Sequence, residues 1–470
     1  MKHSALSSLC ALLIAGCAIG PDYQRPSLSM PEAWRSGTAL PANEKPEELA
    51  NLAWWKQLED PVLDALVAEA LANNRDLKIA AARIDEAAGQ LGSTRAQLFP
   101  QFGASLGASR AQASNAGQTP IPATVNRVSN QYSAGLNVGW EIDLFGRVRR
   151  ATEASQAELL GSEESRRGLA LSLAATVANS YISLRDLDNQ LDIARRTLRT
   201  REESLRIFEL RYKGGVVSEM EVAQVRSELE AARIAVPTVE QSVAQQENAI
   251  SALLGRLPGP ITRGKTLAAM GLPLPPVSLP ASVLERRPDI RLAEQNLIAN
   301  NARIGVAKAA YFPTVTLTGL LGSSSVAFSN LFTGPARVWS YGADLAAPIF
   351  TAGAIGGQVQ SAEARQVQAL EQYRKSVENA FREVDDALVT GAKSREVVDG
   401  RIRQVDALNT YARAARLRYD GGYSSFLEVL DAERSLFQAQ IYESQARGQA
   451  LIAATTLYKV LGGGWQAATE

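Results

Sequence analysis

The sequence predicts a mixed α and β membrane protein with four β-strands per chain, long antiparallel helical hairpins and two internal structural repeats. Three observations predict it. The hexapeptides LRYKGG (210–215) and LRYDGG (417–422) are nearly the same and are offset by 207 positions; internal repetition of this kind fixes an architecture before any local detail does. Four segments alternate apolar and polar residues, the pattern of a strand with two unlike faces. Two stretches, about 147–212 and 352–419, contain few helix breakers.

The N-terminus reads as an export signal. Residues 1–16, MKHSALSSLCALLIAG, hold one Lys, an apolar stretch and small residues, too short a run to span a membrane stably. Ile14-Ala15-Gly16-Cys17 resembles a bacterial lipobox, in which Cys17 carries a thioether-linked lipid. An ordinary signal with a chance Cys is the alternative. Several acyl chains would hold the mature protein firmly, since each buried CH₂ contributes roughly 0.8 kcal/mol. Residues 17–60 are then a lipidated N-terminal segment.

Composition excludes whole classes of chemistry. Lys+Arg and Asp+Glu both number 49, which gives no argument for a nucleic-acid partner. The single His is His3 and the two Cys are Cys10 and Cys17. Cleavage before Cys17 leaves no His and no free thiol. That removes Ser-His-Asp and Cys-His nucleophiles and imidazole or thiolate metal sites. The expectation is a protein that is not an enzyme, with no metal and no cofactor beyond the covalent lipid on Cys17. No apolar run of 18 residues follows the signal, so no transmembrane helix is expected.

Repeat 1 covers 61–254. It opens with an Ala- and Leu-rich helix, about 61–98, that stops at Phe99-Pro100 because proline pushes its predecessor out of helical conformation. Strands follow at about 101–114 and 130–146. In the first, Phe102, Ala104, Leu106 and Ala108 share a face. In the second, Tyr132, Ala134, Leu136, Val138, Trp140, Ile142 and Leu144 alternate with polar residues and glycine. The long helix from 147 carries Leu184, Leu187, Leu191, Ala194, Leu198, Leu205 and Phe208 in a coiled-coil-like stripe and would be roughly 100 Å long. Its partner runs from about 218 to 254, with Pro237 a kink or break.

A Pro-rich linker, 255–284, leads to repeat 2 at 285–461. A shift of 213 pairs Asp76 with Asp289, Leu91-Gly92 with Ile304-Gly305 and Phe99-Pro100 with Phe312-Pro313. A shift of 207 then pairs Glu221-Val222 with Glu428-Val429 and Leu229 with Leu436. The second helix (281–311), strands at about 314–329 and 336–350, and helices at 352–419 and 424–461 follow the plan of the first half. Residues 462–470 form a tail.

The strands read as membrane-spanning. They are long, they alternate, and Tyr132, Trp140, Phe145, Trp339, Tyr341 and Phe350 lie near their ends, where aromatic girdles sit. An ordinary antiparallel sheet is the alternative. Four strands cannot close a barrel, which needs about eight, and lipid does not tolerate an open edge. Several chains must therefore share one barrel. The repeated hexapeptides become hairpin tips. Gly214-Gly215 and Gly421-Gly422 end the long helices in left-handed turns. Ser218 with Glu221, and Ser425 with Glu428, start the partner helices as capping boxes.

These features resemble the outer membrane factor family, the TolC/OprM-like export tubes, in the lipoprotein branch that serves resistance-nodulation-division pumps. The residues that carry the resemblance are Leu284-Glu285-Arg286-Arg287-Pro288-Asp289-Ile290, Ala293-Glu294, Tyr311-Phe312-Pro313, Leu430-Asp431-Ala432-Glu433-Arg434-Ser435-Leu436, and the early Trp54-Trp55 and Asp60-Pro61. The resemblance implies a homotrimer with a 12-stranded barrel and a periplasmic α-barrel. It implies a periplasmic adaptor (membrane fusion) protein and an inner-membrane pump as partners, with the chain lipid-anchored in the outer membrane of a Gram-negative bacterium.

The resemblance also points to the tips as the site of closure. Asp431 and Glu428 match the carboxylates that narrow the pore. They are three residues apart and share a helix face, and three copies of Asp431 about an axis would form a cation-attracting ring. The capping box already occupies Glu428, whereas Asp431 has no such assignment and its repeat counterpart is Gln224; a solvated acid favoured by the helix N-terminal dipole is the alternative for Asp431. Gly214, Gly215, Gly421 and Gly422 are expected to dock the adaptor. Arg211, Tyr212, Arg418, Tyr419 and Arg434 are candidates for a network that holds the closed state. Ser424 stands where some members carry a basic residue. The function expected is a passive, gated duct for small toxic compounds or drugs. Alternatives are a protein-secretion channel, a lipid-anchored structural coiled-coil protein and an envelope hydrolase with paired carboxylates.

Overall fold

The computed structural model describes residues 18–28, 34–35, 53–114, 122, 126–271 and 287–463. The signal at 1–16, Cys17, most of 29–52, the linker from 272 to 286 and the tail from 464 lie outside them. In chain order the elements are α1 (Pro61–Asn73), α2 (Arg75–Ala96), β1 (Gln101–Gln112), β2 (Val128–Ile142), α3 (Arg147–Lys213), α4 (Glu219–Leu253), α5 (Pro288–Ala309), β3 (Thr314–Ser325), β4 (Arg337–Ala346), α6 (Ala354–Asp420) and α7 (Phe426–Val460). Both α3 and α6 are 67 residues long, both α4 and α7 are 35, and both α2 and α5 are 22. Element lengths thus recur from one half to the other, the helices before the strands at an offset of 213 and those after them at 207. Among the described residues, no helix is long and apolar enough to cross a membrane.

Several expected boundaries move, each for a local reason. The first helix divides at Asn74, whose side-chain oxygen accepts from the Asp76 and Leu77 amides at 2.9 and 3.2 Å and so starts α2 afresh. Helix α4 runs through Pro237 without ending, so of the kink or break expected there the break is absent. Strand β2 stops at Ile142 because Asp143 accepts from the amides of Val148 and Arg149 and caps α3. Strand β4 stops at Ala346, two residues before Pro348, which has no amide to donate.

The chain forms two compact units. The first comprises residues up to 27, 83–162 and 292–373. It holds a four-stranded sheet, ordered β1-β2-β3-β4 and antiparallel throughout. The register aligns the apolar alternations across all four strands. Ala104, Leu136, Leu321 and Trp339 form one cross-strand row, and Phe102, Val138, Gly319 and Tyr341 the next. This apolar face is outside any core of the chain: Phe102 and Tyr341 are both 83% exposed. Small residues let α3 and α5 approach closely, with Ala154, Ala157, Ala299 and Ala302 buried together.

The second unit comprises 28–82, 163–291 and 374 onward. Its main core gathers Trp54, Leu58, Leu63, Tyr181, Leu184, Ile250 and Tyr458. Trp54 stacks on Tyr458 at 5.7 Å and meets Trp55 edge-on. Buried Asp60 caps α1 through the Val62 amide and also accepts from the Tyr181 hydroxyl at 3.0 Å and the Lys265 amide at 2.9 Å. One carboxylate therefore ties the N-terminal segment, a long helix and the linker together.

Candidate functional site at the hairpin tips

Both long helices end in the same way. The Val216 amide bonds to the Arg211 carbonyl and the Gly215 amide to that of Tyr212. In the second hairpin the Tyr423 amide reaches Arg418 and the Gly422 amide reaches Tyr419. These paired bonds satisfy carbonyls that a helix end leaves free. They need a left-handed residue, supplied by Gly215 at φ 74° and Gly422 at φ 76°. Gly214 and Gly421 close the last turn with ordinary φ, so only the second glycine of each pair is required for its conformation.

The starts of the partner helices differ. Ser218 and Glu221 form a complete capping box at the head of α4. Ser425 is the N-cap of α7 but makes no side-chain capping bond; the Glu428 amide bonds instead to the Ser425 carbonyl at 3.3 Å. The expected box at Ser425 and Glu428 is absent. The burial of Phe426 places this turn instead: its ring lies 4.2 Å from Phe208 and 5.1 Å from Tyr419. Without the box, the Glu428 carboxylate is not bound to a backbone amide there.

The aromatic trio is the centre of a small core. Phe208, Val222, Val225, Ala415, Phe426, Val429, Leu430 and Ala432 pack together at the tip, with residues from both hairpins. Arg211 lies over the rings of Phe208 and Tyr419 at 5.9 and 5.8 Å and donates to the Tyr419 hydroxyl at 3.4 Å. Of the expected closure residues, Arg211 and Tyr419 are therefore brought together across the two hairpins. Tyr212 and Arg418 are exposed and contribute backbone carbonyls to the turns.

On α7, Asp431 is exposed and Glu428 half-buried, while Val429, Leu430 and Ala432 between and beside them are buried in the tip core. Asp431 is exposed and accepts from Arg434 at 3.2 Å. Arg434, one turn on, is thus a local partner of Asp431. The Ser424 hydroxyl is buried with no hydrogen-bond partner among the described residues.

Sequence reasoning missed the strongest ionic contact at this end. Arg201 of α3 is only 4% exposed, pairs with Glu433 of α7 at 2.5 Å and lies 3.9 Å from Glu228 of α4. The signal was present, because Arg201 falls between Leu198 and Leu205 in the apolar stripe. A charge in such a stripe is buried only with partners. The arrangement as a whole has carboxylates facing outward, an ionic and aromatic seam joining two hairpins, and apolar residues displayed at the turns. Val216 and Tyr423 are 74% and 82% exposed.

Comparison with known proteins gives a consistent picture. The family model for outer membrane efflux protein matches residues 66–256 and 279–463. A probable efflux pump outer membrane protein, TtgC of Pseudomonas putida, is 36% identical over 474 residues, covering 99% of this chain and 96% of its own. Among solved structures, the outer-membrane channel OprN superposes with a TM-score of 0.86 at 32% identity, covering 96% of this chain and 100% of its own. The open state of the MtrE outer membrane channel of Neisseria gonorrhoeae gives 0.85 at 31%, covering 97% and 100%.

Proposed function

The chain belongs to the outer membrane efflux protein family, and on that premise we propose that three copies form a gated duct with its constriction at the hairpin tips. The protein is an outer membrane channel of a tripartite efflux system, and its family is one of transport channels. The observation that carries the trimer is the open sheet. Strands β1 and β4 are edges, the apolar face is unburied, and about eight strands are the least that closes a barrel. Three chains of four strands satisfy that demand with twelve. Lipid on Cys17 anchors each chain, and the cargo is a small toxic compound or drug.

At the tip, Asp431 and Glu428 supply negative charge to the pore, with Arg434 offsetting part of it. The Arg211–Tyr419 contact and the Arg201–Glu433 pair hold hairpin to hairpin in the closed state. The periplasmic adaptor docks on the turns at Gly214-Gly215 and Gly421-Gly422, where exposed Val216, Met220, Tyr423 and Leu427 offer apolar contact.

Single-channel recording in planar bilayers tests this reading. The wild-type channel should be cation-selective and blocked by multivalent cations. Asp431→Ala should lose both properties and conduct more; Arg434→Ala should strengthen selectivity. Conductance and block that ignore both substitutions would remove the constriction from this site.

A further inference from the structure

Charge is divided along the length of the sheet. Helices α2, α3, α5 and α6 all join the strands at one end, and the connections 113–127 and 326–336 lie at the other. Glu141, Asp143 and Asp344 stand at the helix end. Residues 101–140 and 314–343 contain Arg110, Arg127 and Arg337 and no Asp, Glu or Lys. All three arginines stand toward the loop end, and all are exposed. The loop end is therefore positive, with no acid of the strands or their loops to neutralise it.

Two of these arginines belong to the apolar face. Residues two apart on a strand share a face. Arg110 thus tops the β1 column of Phe102, Ala104, Leu106 and Ala108, and Arg337 tops the β4 column of Leu345, Ala343, Tyr341 and Trp339. The register sets Arg110 opposite Asn130 and Arg337 opposite Ser323. The repeat makes these one pair written twice: a shift of 213 takes Arg110 to Ser323, and a shift of 207 takes Asn130 to Arg337. In each pair the arginine is on an edge strand and the uncharged residue on an inner one. The apolar face also continues past the strands. Phe328 meets the Tyr132 ring edge-on at 5.6 Å, and Val326, Phe328 and Phe332 are exposed. An arginine on a lipid-facing column costs least at the membrane interface, where its planar fork suits a phosphate.

The edge strands are the surfaces that ring closure joins. Identical chains close a ring head to tail, so β4 of one copy meets β1 of the next, and each seam receives one Arg337 and one Arg110. We propose that the loop end of this seam binds the headgroup of an anionic, phosphate-bearing lipid through those two arginines, with the acyl chains lying along the apolar columns. The inference rests on the barrel shared by several chains. The bound lipid bridges two subunits at the junction that no single chain can close.

Native mass spectrometry of the full mature protein in detergent tests this, with lipid A, a phosphorylated glycolipid, as the probe and zwitterionic phosphatidylcholine as the reference. The oligomer should retain lipid A, up to one molecule for each seam, and release phosphatidylcholine. Arg110→Gln and Arg337→Gln should each weaken retention about tenfold, the loss of one charge-assisted contact, with oligomer mass unchanged. Arg127 precedes the first residue of β2; Arg127→Gln removes the same charge from the same end, outside the two edge strands, and should retain lipid A like the parent. If one edge variant fails to assemble, the other decides, together with the parent's preference between the two lipids. An assembled oligomer that holds both lipids equally, that ignores the edge substitutions, or that loses lipid A equally with all three overturns the proposal and leaves the shared barrel standing. A monomer overturns it by removing the barrel itself.

Discussion

Arg201 shows how one residue joins two elements that sequence treats separately. Its counterpart in the second half is Leu408, so the repeat itself hides the contact, and only the charge inside an apolar stripe betrays it. Removing the guanidinium leaves Glu433 and Glu228 facing each other in a half-buried seam. Arg201→Met should cost about 3 kcal/mol, at the lower edge for a broken buried pair because both glutamates keep some solvent. Denaturant unfolding of the purified protein checks it. Asp186 of α3 is a different case. Burial pushes its carboxyl up, against hydrogen bonds from Ser444 and Gln190 that favour the charged form. A carboxyl raised by folding binds its proton more tightly in the folded state, so stability falls as pH rises from the unfolded carboxyl range through the raised folded value. Asp186→Asn should therefore stabilise the protein at neutral pH, and the gain should vanish in acid below the unfolded range. Thermal unfolding across that window reads the difference. The pairing of Asp431 with Arg434, by contrast, was open to view at a spacing of three residues, but the pattern does not say which of a helix's neighbouring charges will meet.

At the level of elements, most of the fold was legible. Helical period, strand alternation, the Phe-Pro stops and the Gly-Gly turns placed the four strands and the long helical hairpins in order, but not the division of the first helix at Asn74. Boundaries failed where a side chain competed with the period. Leu144 continues the alternation of β2, yet Asp143 captures the amides of α3 and ends the strand. The two Ser-x-x-Glu sequences are alike in letters and unlike in structure, because Phe426 is drawn into the aromatic core and carries the turn with it. That asymmetry is measurable. Ser218→Ala should lose about 1 kcal/mol with its capping bond, whereas Ser425→Ala should be close to neutral. Equal losses at both positions would mean that the second cap forms after all. Among the glycines, Gly215→Ala and Gly422→Ala should each lose about 1 kcal/mol, more than the same change at Gly214.

For the whole molecule, the sequence carried the membrane reading of the sheet through its register. A shift of one residue would scatter the apolar face, and the observed pairing keeps Leu136, Leu321 and Trp339 in line. It also required more than one chain, since an open four-stranded sheet has two free edges. The number of chains was not legible from those edges. They demand a partner without counting it, and three is what the resemblance to the family implies. The mass of the intact protein in detergent, by native mass spectrometry, is therefore the most direct measurement. The account predicts a trimer whose subunits begin at Cys17 and carry acyl chains. A stable monomer would leave the edges of β1 and β4 open and the apolar face unclosed, and would contradict the channel built from three chains.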